Sequence, residues 1–141
     1  MSAASLDSSA WIEIAHNGVH AAPFLELLGD PATVIVSTIT LYEVWKYSAL
    51  HGDEARANQI LEFMQQGIVV PPHPDIAIHA ARLSIRYKIA MADSLIYATA
   101  LAHKATLWTQ DDDFKGLPHV RYIPQSRSAG RPAPTHRKGP L

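Results

Sequence analysis

The stretch MADSLIYATALAHKATLWTQDDDF, residues 91–114, carries the strongest fold signal in this sequence. Residues 92–103 have a helical pattern, and Asp93 is the one charged residue in 92–102. A helix that is apolar nearly all round is typically buried. Residues 106–108 favour a strand, and an acidic run follows them. A buried helix that leads into a strand indicates a sheet covered by helices.

The same alternation of short strands and helices runs through residues 1–124. The predicted strands lie at residues 4–6, 34–36, 68–70, 106–108 and 121–123, and the first is the least apolar. The predicted helices lie at residues 9–15, 22–28, 40–50, 54–66, 76–87 and 92–103, with Asp53 and Asp75 as N-caps. This pattern predicts the α/β class, with a central, mostly parallel sheet of about five strands flanked by helices in three layers.

Size and composition predict one soluble domain. The chain has 141 residues, of which 48% are apolar and 18% charged, so it has enough apolar surface for a single core. No apolar run approaches the roughly 20 residues of a membrane span, and the first residues lack the pattern of a signal peptide. The lack of cysteine suits a reducing cytoplasm, which is the predicted location.

Charge separates this domain, residues 1–124, from a Pro- and Gly-rich tail, residues 125–141. The tail carries four basic residues and no acid, and we predict that it is disordered. The domain carries all thirteen acids and the other eight of the twelve Lys and Arg, which leaves a charge of −5. Because proteins that coat nucleic acid are normally basic, this acidic domain is better suited to gathering carboxylates around a divalent cation.

Four separated acids are expected where ligands bind in open α/β sheets, beyond the carboxyl ends of the strands. Asp7 directly follows the first predicted strand, Glu43 lies in the first turn of the helix after the second, and Asp111 follows the fourth. Asp93 opens the buried helix, where an ionised carboxylate is costly unless it is capped, paired or metal-bound. We therefore predict that these four acids share one site.

Each of these acids also has a purely structural explanation. Asp7 and Asp93 suit the N-terminus of a helix, and Glu43 forms a capping-box pattern with Thr40. Asp111 begins a run of three acids, which is most often a solvated turn. A bound cation would relieve the repulsion within that run, and Thr109 is placed to hydrogen-bond a neighbouring carboxylate.

The ligand chemistry indicates what such a site would do. Carboxylates and water are the preferred ligands of Mg²⁺ and Mn²⁺, which in proteins usually bridge to phosphate. This points to phosphodiester hydrolysis by metal-activated water, and no protein nucleophile is required.

Four segments carry a family resemblance, in this order: LDSSAWIEI (6–14), VSTITLYEVWKY (36–47), MADSLIYATALAH (91–103) and LWTQDDDF (107–114). Together they resemble the PIN domain, and specifically the VapC-type toxin of toxin-antitoxin pairs. The resemblance implies a PIN-like fold and a metal-dependent endoribonuclease that cleaves single-stranded regions of RNA with Mg²⁺ or Mn²⁺. It also implies a homodimer and a cognate antitoxin protein.

The resemblance assigns roles to individual residues. The acids that match the family's catalytic, metal-binding set are Asp7, Asp93, Glu43 and Asp111. Asp113 is held in reserve for Asp111, because it aligns with a frequent acid before the Phe. Thr109 and Ser8 are predicted to contact and position these acids without binding the metal themselves. The basic tail lies outside the family pattern.

Two other functions remain open: a catalytically silent, PIN-like binding module that uses the same pocket, and a phosphatase-type α/β hydrolase. The second lacks both a DxDxT motif after the first strand and a GxxxxGK loop. If RNA is the substrate, the candidates for contact with it are Lys46, Arg82, Arg86 and Lys88.

Overall fold

A computed structural model describes residues 3–125 and shows one five-stranded, all-parallel sheet. The strands are β1 (Ala3–Leu6), β2 (Val34–Ser37), β3 (Ile68–Val70), β4 (Ala105–Thr109) and β5 (Val120–Tyr122). The helices are α1 (Ser8–Ala15), α2 (Ala21–Leu27), α3 (Thr38–Leu50), α4 (Glu54–Met64), α5 (Pro74–Tyr87) and α6 (Met91–Ala102). Short 3-10 turns lie at Pro31–Thr33 and Asp112–Phe114. The predicted α/β class and parallel sheet are confirmed.

Strand β1 is the centre of the sheet, whose order is β3-β2-β1-β4-β5. Ala4 pairs with Val34 on one side and with Thr106 on the other, so β1 is hydrogen-bonded along both edges. Its polar residue Ser5 is buried, and its hydroxyl donates to the carbonyl of Ile35 at 2.8 Å. Backbone pairing on both sides and a satisfied hydroxyl explain why the least apolar strand occupies the centre.

Two cores cover the two faces of the sheet. Alternate residues of β2 enter different cores: Ile35 packs with α5 and α6, whereas Val34 and Val36 pack with α1, α2, α3 and α4. Strand β4 divides in the same way, with Leu107 in the first core and Trp108 against the second. This alternation is the period of two expected of a strand buried on both faces, and it produces the predicted three layers.

Helix α6 is buried through its central turns, whereas its first and last residues, Met91 and Ala102, are exposed. Its residues 96–100 are each at most 1% exposed. Asp93 lies in its first turn and is half-buried. The helix therefore holds a carboxylate at the border between the core and the solvent.

Two of the predicted helix starts are wrong, and a third is confirmed. Helix α3 begins two residues before residue 40, because the Ser37 hydroxyl accepts a hydrogen bond from the Ile39 amide at 3.1 Å. The capping box with Thr40 is therefore absent, and Glu43 lies in the second turn of α3. Helix α5 begins at Pro74, whose fixed φ suits the first helical position, so Asp75 lies in the first turn instead of capping it. Asp53 does cap α4.

The predicted tail cannot be compared with the structure, since residues 126–141 lie outside the described residues. The division into residues 1–124 and 125–141 stays a prediction. Among the described residues, no helix is both long enough and apolar enough to cross a membrane.

Candidate active site

The predicted acids lie at one edge of the sheet, beyond the carboxyl ends of the central strands. The chain runs from β1 outwards to β3 and then returns to the other side of β1 as β4. Asp7 follows β1 and Asp111 follows β4, so they flank this change of direction. In parallel sheets, the crevice at such a switch point is where ligands bind.

Asp7 is 3% exposed, and both of its carboxylate oxygens accept hydrogen bonds. Oδ1 accepts from the Ala10 amide at 3.0 Å, which caps α1, and from the Ser9 hydroxyl at 2.7 Å. Oδ2 accepts from the Thr109 hydroxyl at 2.6 Å. The Asp7 carboxylate therefore caps α1 and also contacts the end of β4, so capping does not keep it away from the predicted site.

Burial raises the pKa of Asp7 from its ordinary value of 3.8 to about 7. The hydrogen bonds from Thr109, Ser9 and Ala10 oppose this rise, since they stabilise the charged form. The negative charge of Asp111 adds to it. A carboxyl whose pKa lies near neutrality within an acidic cluster is a mark of functional sites.

Thr109 joins Asp7 to the acidic turn after β4. Its hydroxyl oxygen accepts a hydrogen bond from the Asp111 amide at 2.8 Å, and the same hydroxyl donates a hydrogen bond to Asp7. Asp111 then accepts through Oδ1 from the Asp113 amide at 2.9 Å, which caps the 3-10 turn. The run of acids is therefore an ordered turn, and its first and third members are held in defined positions.

Asp93, Asp111 and Asp113 form the tightest acidic cluster of the described residues. Each offers one carboxylate oxygen, and these three oxygens lie within 4.8 Å of one another. The pKa of Asp93 is raised from 3.8 to about 8, chiefly by burial and in addition by the charges of Asp111, Asp7, Glu43 and Asp113. Three like charges this close repel, so the cluster favours either a proton or a cation between its members.

Glu43 reaches the same site from α3. The Ser8 hydroxyl at the start of α1 donates to Glu43 Oε1. Burial raises the pKa of Glu43 and Asp111 adds to the rise, whereas the Ser8 hydrogen bond and the charge of Lys46 oppose it. Asp111 is therefore close enough to Asp7, Glu43 and Asp93 for its charge to raise the pKa of each of them.

The structure gives the predicted residues different positions in this site. Asp113, which the sequence predicted only as a reserve for Asp111, joins Asp93 and Asp111 in the tight cluster. Asp7 is not one of these three residues; it is buried, and both of its oxygens are hydrogen-bonded. Ser8 and Thr109 both support acids, as predicted.

Ser9 is a support that the sequence prediction missed. Its hydroxyl donates to Asp7 and accepts from the Gln110 amide at 2.9 Å. A second hydroxyl directly after the Asp7-Ser8 pair was the available signal.

The four candidates for RNA contact divide into two groups. Lys46 is close enough to Glu43 for its charge to act on that carboxylate. Arg82 and Arg86 are exposed on α5, and Lys88 follows the end of that helix. Lys46 is therefore the candidate that the structure connects to the acids.

The chain belongs to the PIN domain family, whose sequence profile matches residues 4–120. That match spans every acid of the site. A comparison with curated proteins finds no significant relative.

Solved structures that are similar to this chain include toxins of toxin-antitoxin pairs. A toxin-antitoxin complex from Klebsiella pneumoniae is 27% identical, with a TM-score of 0.69 over 85% of this chain and 99% of that one. A DNA-bound VapBC from Salmonella typhimurium is 20% identical, with a TM-score of 0.69 over 88% and 98%. VapC20 of Mycobacterium tuberculosis, a sarcin-ricin loop cleaving toxin, is 16% identical, with a TM-score of 0.65 over 81% and 94%. The predicted resemblance to VapC-type toxins is confirmed.

The acidic cluster fits a divalent cation by its donor chemistry. All its donors are carboxylate oxygens, the ligands that Mg²⁺ and Mn²⁺ prefer, and they converge within 4.8 Å. Burial first and the neighbouring carboxylates second raise the pKa of Asp93, and a bound cation would offset both effects. Asp93, Asp111 and Asp113 are the residues that would hold it.

Proposed function

We propose that this protein is a metal-dependent endoribonuclease that cleaves single-stranded regions of RNA and acts as the toxin of a toxin-antitoxin pair. The observation that carries the proposal is the convergence of Asp93, Asp111 and Asp113 within 4.8 Å at the carboxyl edge of the sheet. The membership of the PIN family and the structural likeness to VapC-type toxins support it.

The cluster would bind Mg²⁺ or Mn²⁺ through carboxylate oxygens of Asp93, Asp111 and Asp113. When bound, such an ion supplies Lewis-acid chemistry: it makes water more acidic and stabilises negative charge on the phosphoryl oxygens. Asp7 and Glu43 complete the proposed catalytic set.

The chain's own residues have separate tasks in this proposal. Asp7 fixes the start of α1 and, through Thr109, the position of Asp111. Glu43, whose pKa is raised, accepts a proton from the attacking water at its carboxylate, because a base with a pKa closer to neutral transfers protons more effectively. Ser8 holds that carboxylate in place.

The proposed partners follow from the structural neighbours. The structures from Klebsiella pneumoniae and Salmonella typhimurium are named as toxin-antitoxin and VapBC complexes, which supports a cognate antitoxin for this chain. The toxin from Mycobacterium tuberculosis is named for cleavage of the sarcin-ricin loop, which supports RNA as the substrate class. We also propose a homodimer and a cytoplasmic location.

The deciding experiment is cleavage of an RNA that contains single-stranded loops. We expect cleavage with Mn²⁺ or Mg²⁺, none with EDTA, and loss of about 100-fold or more in Asp93→Asn. Asp112→Asn is the matched control, because it removes the same charge from the exposed middle of the same acidic run. Cleavage that survives EDTA and Asp93→Asn equally would contradict the proposal.

The two alternatives have their own outcomes in the same experiment. A catalytically silent binding module would hold a protein partner but cleave nothing and bind no Mn²⁺. A phosphatase-type hydrolase would release inorganic phosphate from nucleotides without cutting RNA internally.

A further inference from the structure

An exposed aromatic ring stands next to the acidic site. Tyr42 is 62% exposed and immediately precedes Glu43 on α3, in contrast to Tyr97, which is 1% exposed in the core. A ring this exposed adds little to the core, and its surface is accessible to a ligand. An exposed ring beside a phosphate-handling site is suited to stacking on a base.

Lys46 pairs with this ring one helical turn further along. Its Nζ lies 5.6 Å from the centroid of the Tyr42 ring and 3.5 Å from the Tyr42 hydroxyl. Positions 42 and 46 are i and i+4 neighbours and positions 43 and 46 are i and i+3 neighbours, so one face of α3 presents all three side chains.

The position of Tyr42 and Lys46 matters because RNA is negatively charged and the neighbouring site is acidic. The acids of the site repel the phosphates of RNA, and the domain as a whole is acidic. A ligand of that charge needs local positive charge and uncharged contact surface close to the reacting phosphate. Lys46 supplies the first and Tyr42 the second, side by side at the border of the acidic site.

We propose that Tyr42 and Lys46 form a nucleotide-binding site. Tyr42 stacks on an unpaired base next to the scissile position, and Lys46 contacts the adjoining phosphate. This inference rests on the proposed ribonuclease function and adds the residues that position its substrate. A base within a duplex already has both faces stacked on its neighbours, so this nucleotide-binding site selects single-stranded RNA.

Binding to a labelled single-stranded RNA tests the stacking half of the proposal. Fluorescence anisotropy is measured in the Asp93→Asn background, which prevents cleavage. Tyr42→Ala is expected to weaken binding by about tenfold, and Tyr42→Trp to restore it, because any large flat ring can stack. In the cleavage-competent protein, Tyr42→Ala should raise KM much more than it lowers kcat, since it removes substrate binding and leaves the acids intact.

An RNA with single abasic positions separates stacking from structural damage. One abasic position should weaken binding by about the same factor as Tyr42→Ala, and the two changes together should cost no more than either alone. The phosphate half is tested by salt: Lys46→Gln should reduce the slope of log affinity against log salt by about 0.7, as expected for one lost phosphate contact to a single strand.

Two surface variants away from the acids are the matched controls. Ile85→Ala removes an apolar side chain that is 80% exposed, and Lys104→Gln removes an exposed positive charge just after the C-terminal end of α6, whose other end carries Asp93. Both should bind RNA like the parent protein.

Three outcomes would overturn the inference. Undiminished RNA binding by Tyr42→Ala, with cleavage intact, would refute it while leaving the ribonuclease function standing. Loss of antitoxin binding alone would assign Tyr42 to a protein contact instead. Absence of both cleavage and RNA binding in the unmodified protein would refute the proposed function, and the inference with it.

Discussion

The Thr109 hydroxyl donates to Asp7 Oδ2 at 2.6 Å, although the two residues are 102 positions apart in the sequence. The same oxygen accepts the Asp111 amide at 2.8 Å. Thr109 is fully buried, so neither bond can be replaced by solvent without opening the site. One hydroxyl therefore fixes the distance between the acid after β1 and the acidic turn after β4.

Thr109→Val keeps the shape of this side chain and removes both hydrogen bonds. The buried carboxylate oxygen and the Asp111 amide lose their partners, so we expect the free energy of unfolding to fall by about 1–3 kcal/mol. Cleavage should fall by about tenfold or more, because the acidic turn is no longer held. Urea unfolding in EDTA and RNA cleavage measure the two effects. Thr109→Ser should recover most of both, and a Val variant with native stability and activity would contradict this account.

The metal-free protein should lose stability as the pH rises from about 4 to about 8. The pKa of Asp93 is about 8 and that of Asp7 about 7 in the folded state, against ordinary values of 3.8, so the folded state binds more protons across this window. Stability falls with pH wherever the folded state holds the extra protons, and it levels off above the folded pKa. Thermal unfolding in EDTA at about pH 5 and about pH 8.5 measures the difference. Added Mn²⁺ should restore stability mainly at the higher pH, since the cation needs ionised carboxylates.

Asp93→Asn should stabilise the metal-free protein at high pH while removing its metal response. The variant cannot ionise, so it avoids the repulsion from Asp111 and Asp113 that raises the pKa of Asp93. We expect a higher Tm than the parent in EDTA at about pH 8.5, a smaller difference at about pH 5, and little gain from Mn²⁺. A lower Tm at both pH values would show that Asp93 has a favourable structural role instead.

Asp113→Asn and Asp112→Asn should differ in their effect on Mn²⁺ affinity, although they remove equal charge from adjacent positions. Asp113 belongs to the tight cluster, whereas Asp112 is exposed. Loss of a ligand should weaken Mn²⁺ binding by about tenfold or more, whereas loss of an exposed nearby charge has a much smaller effect. Isothermal titration calorimetry compares the two. Equal weakening would mean that the acidic run attracts the ion only through its total charge.

Ser8→Ala should move the acid limb of the activity profile to higher pH. The Ser8 hydroxyl donates to Glu43 and lowers its pKa, while burial and Asp111 raise it. Without that hydrogen bond, the pKa of Glu43 rises and a higher pH is needed to ionise it. The dependence of kcat/KM on pH reports this shift. An unshifted acid limb would show that Glu43 is not the group that accepts the proton.

The fold was predictable because its signals are local and regular. The apolar surface of α6 and the β-branched runs of the strands can be recognised within short stretches of sequence, and they predicted the right fold class. Helix starts were less predictable, since several hydroxyls compete for the role of cap: Ser37 caps α3, although Thr40 with Glu43 has the better pattern. The position of β1 at the centre depends on its pairing partners, which its own composition does not show.

The site was predictable as a set of acids but not as an arrangement. Position relative to strand ends brought Asp7, Glu43, Asp93 and Asp111 together. The turn after β4 determines which of its three acids face Asp93. That turn depends on the hydrogen bonds that the Asp111 amide donates to Thr109 and that the Asp113 amide donates to Asp111. The sequence therefore left Asp113 in reserve, whereas the folded turn brings it within 4.8 Å of Asp93.

The central position of β1 has a consequence for biosynthesis. β1 emerges first from the ribosome, but its neighbour β4 and the turn with Asp111 and Asp113 emerge more than 100 positions later. Contacts this distant in sequence form only after most of the chain is available. The tight acidic cluster cannot form until Asp113 has been synthesised, so under the proposed function a nascent chain that ends before Asp113 would not cleave RNA.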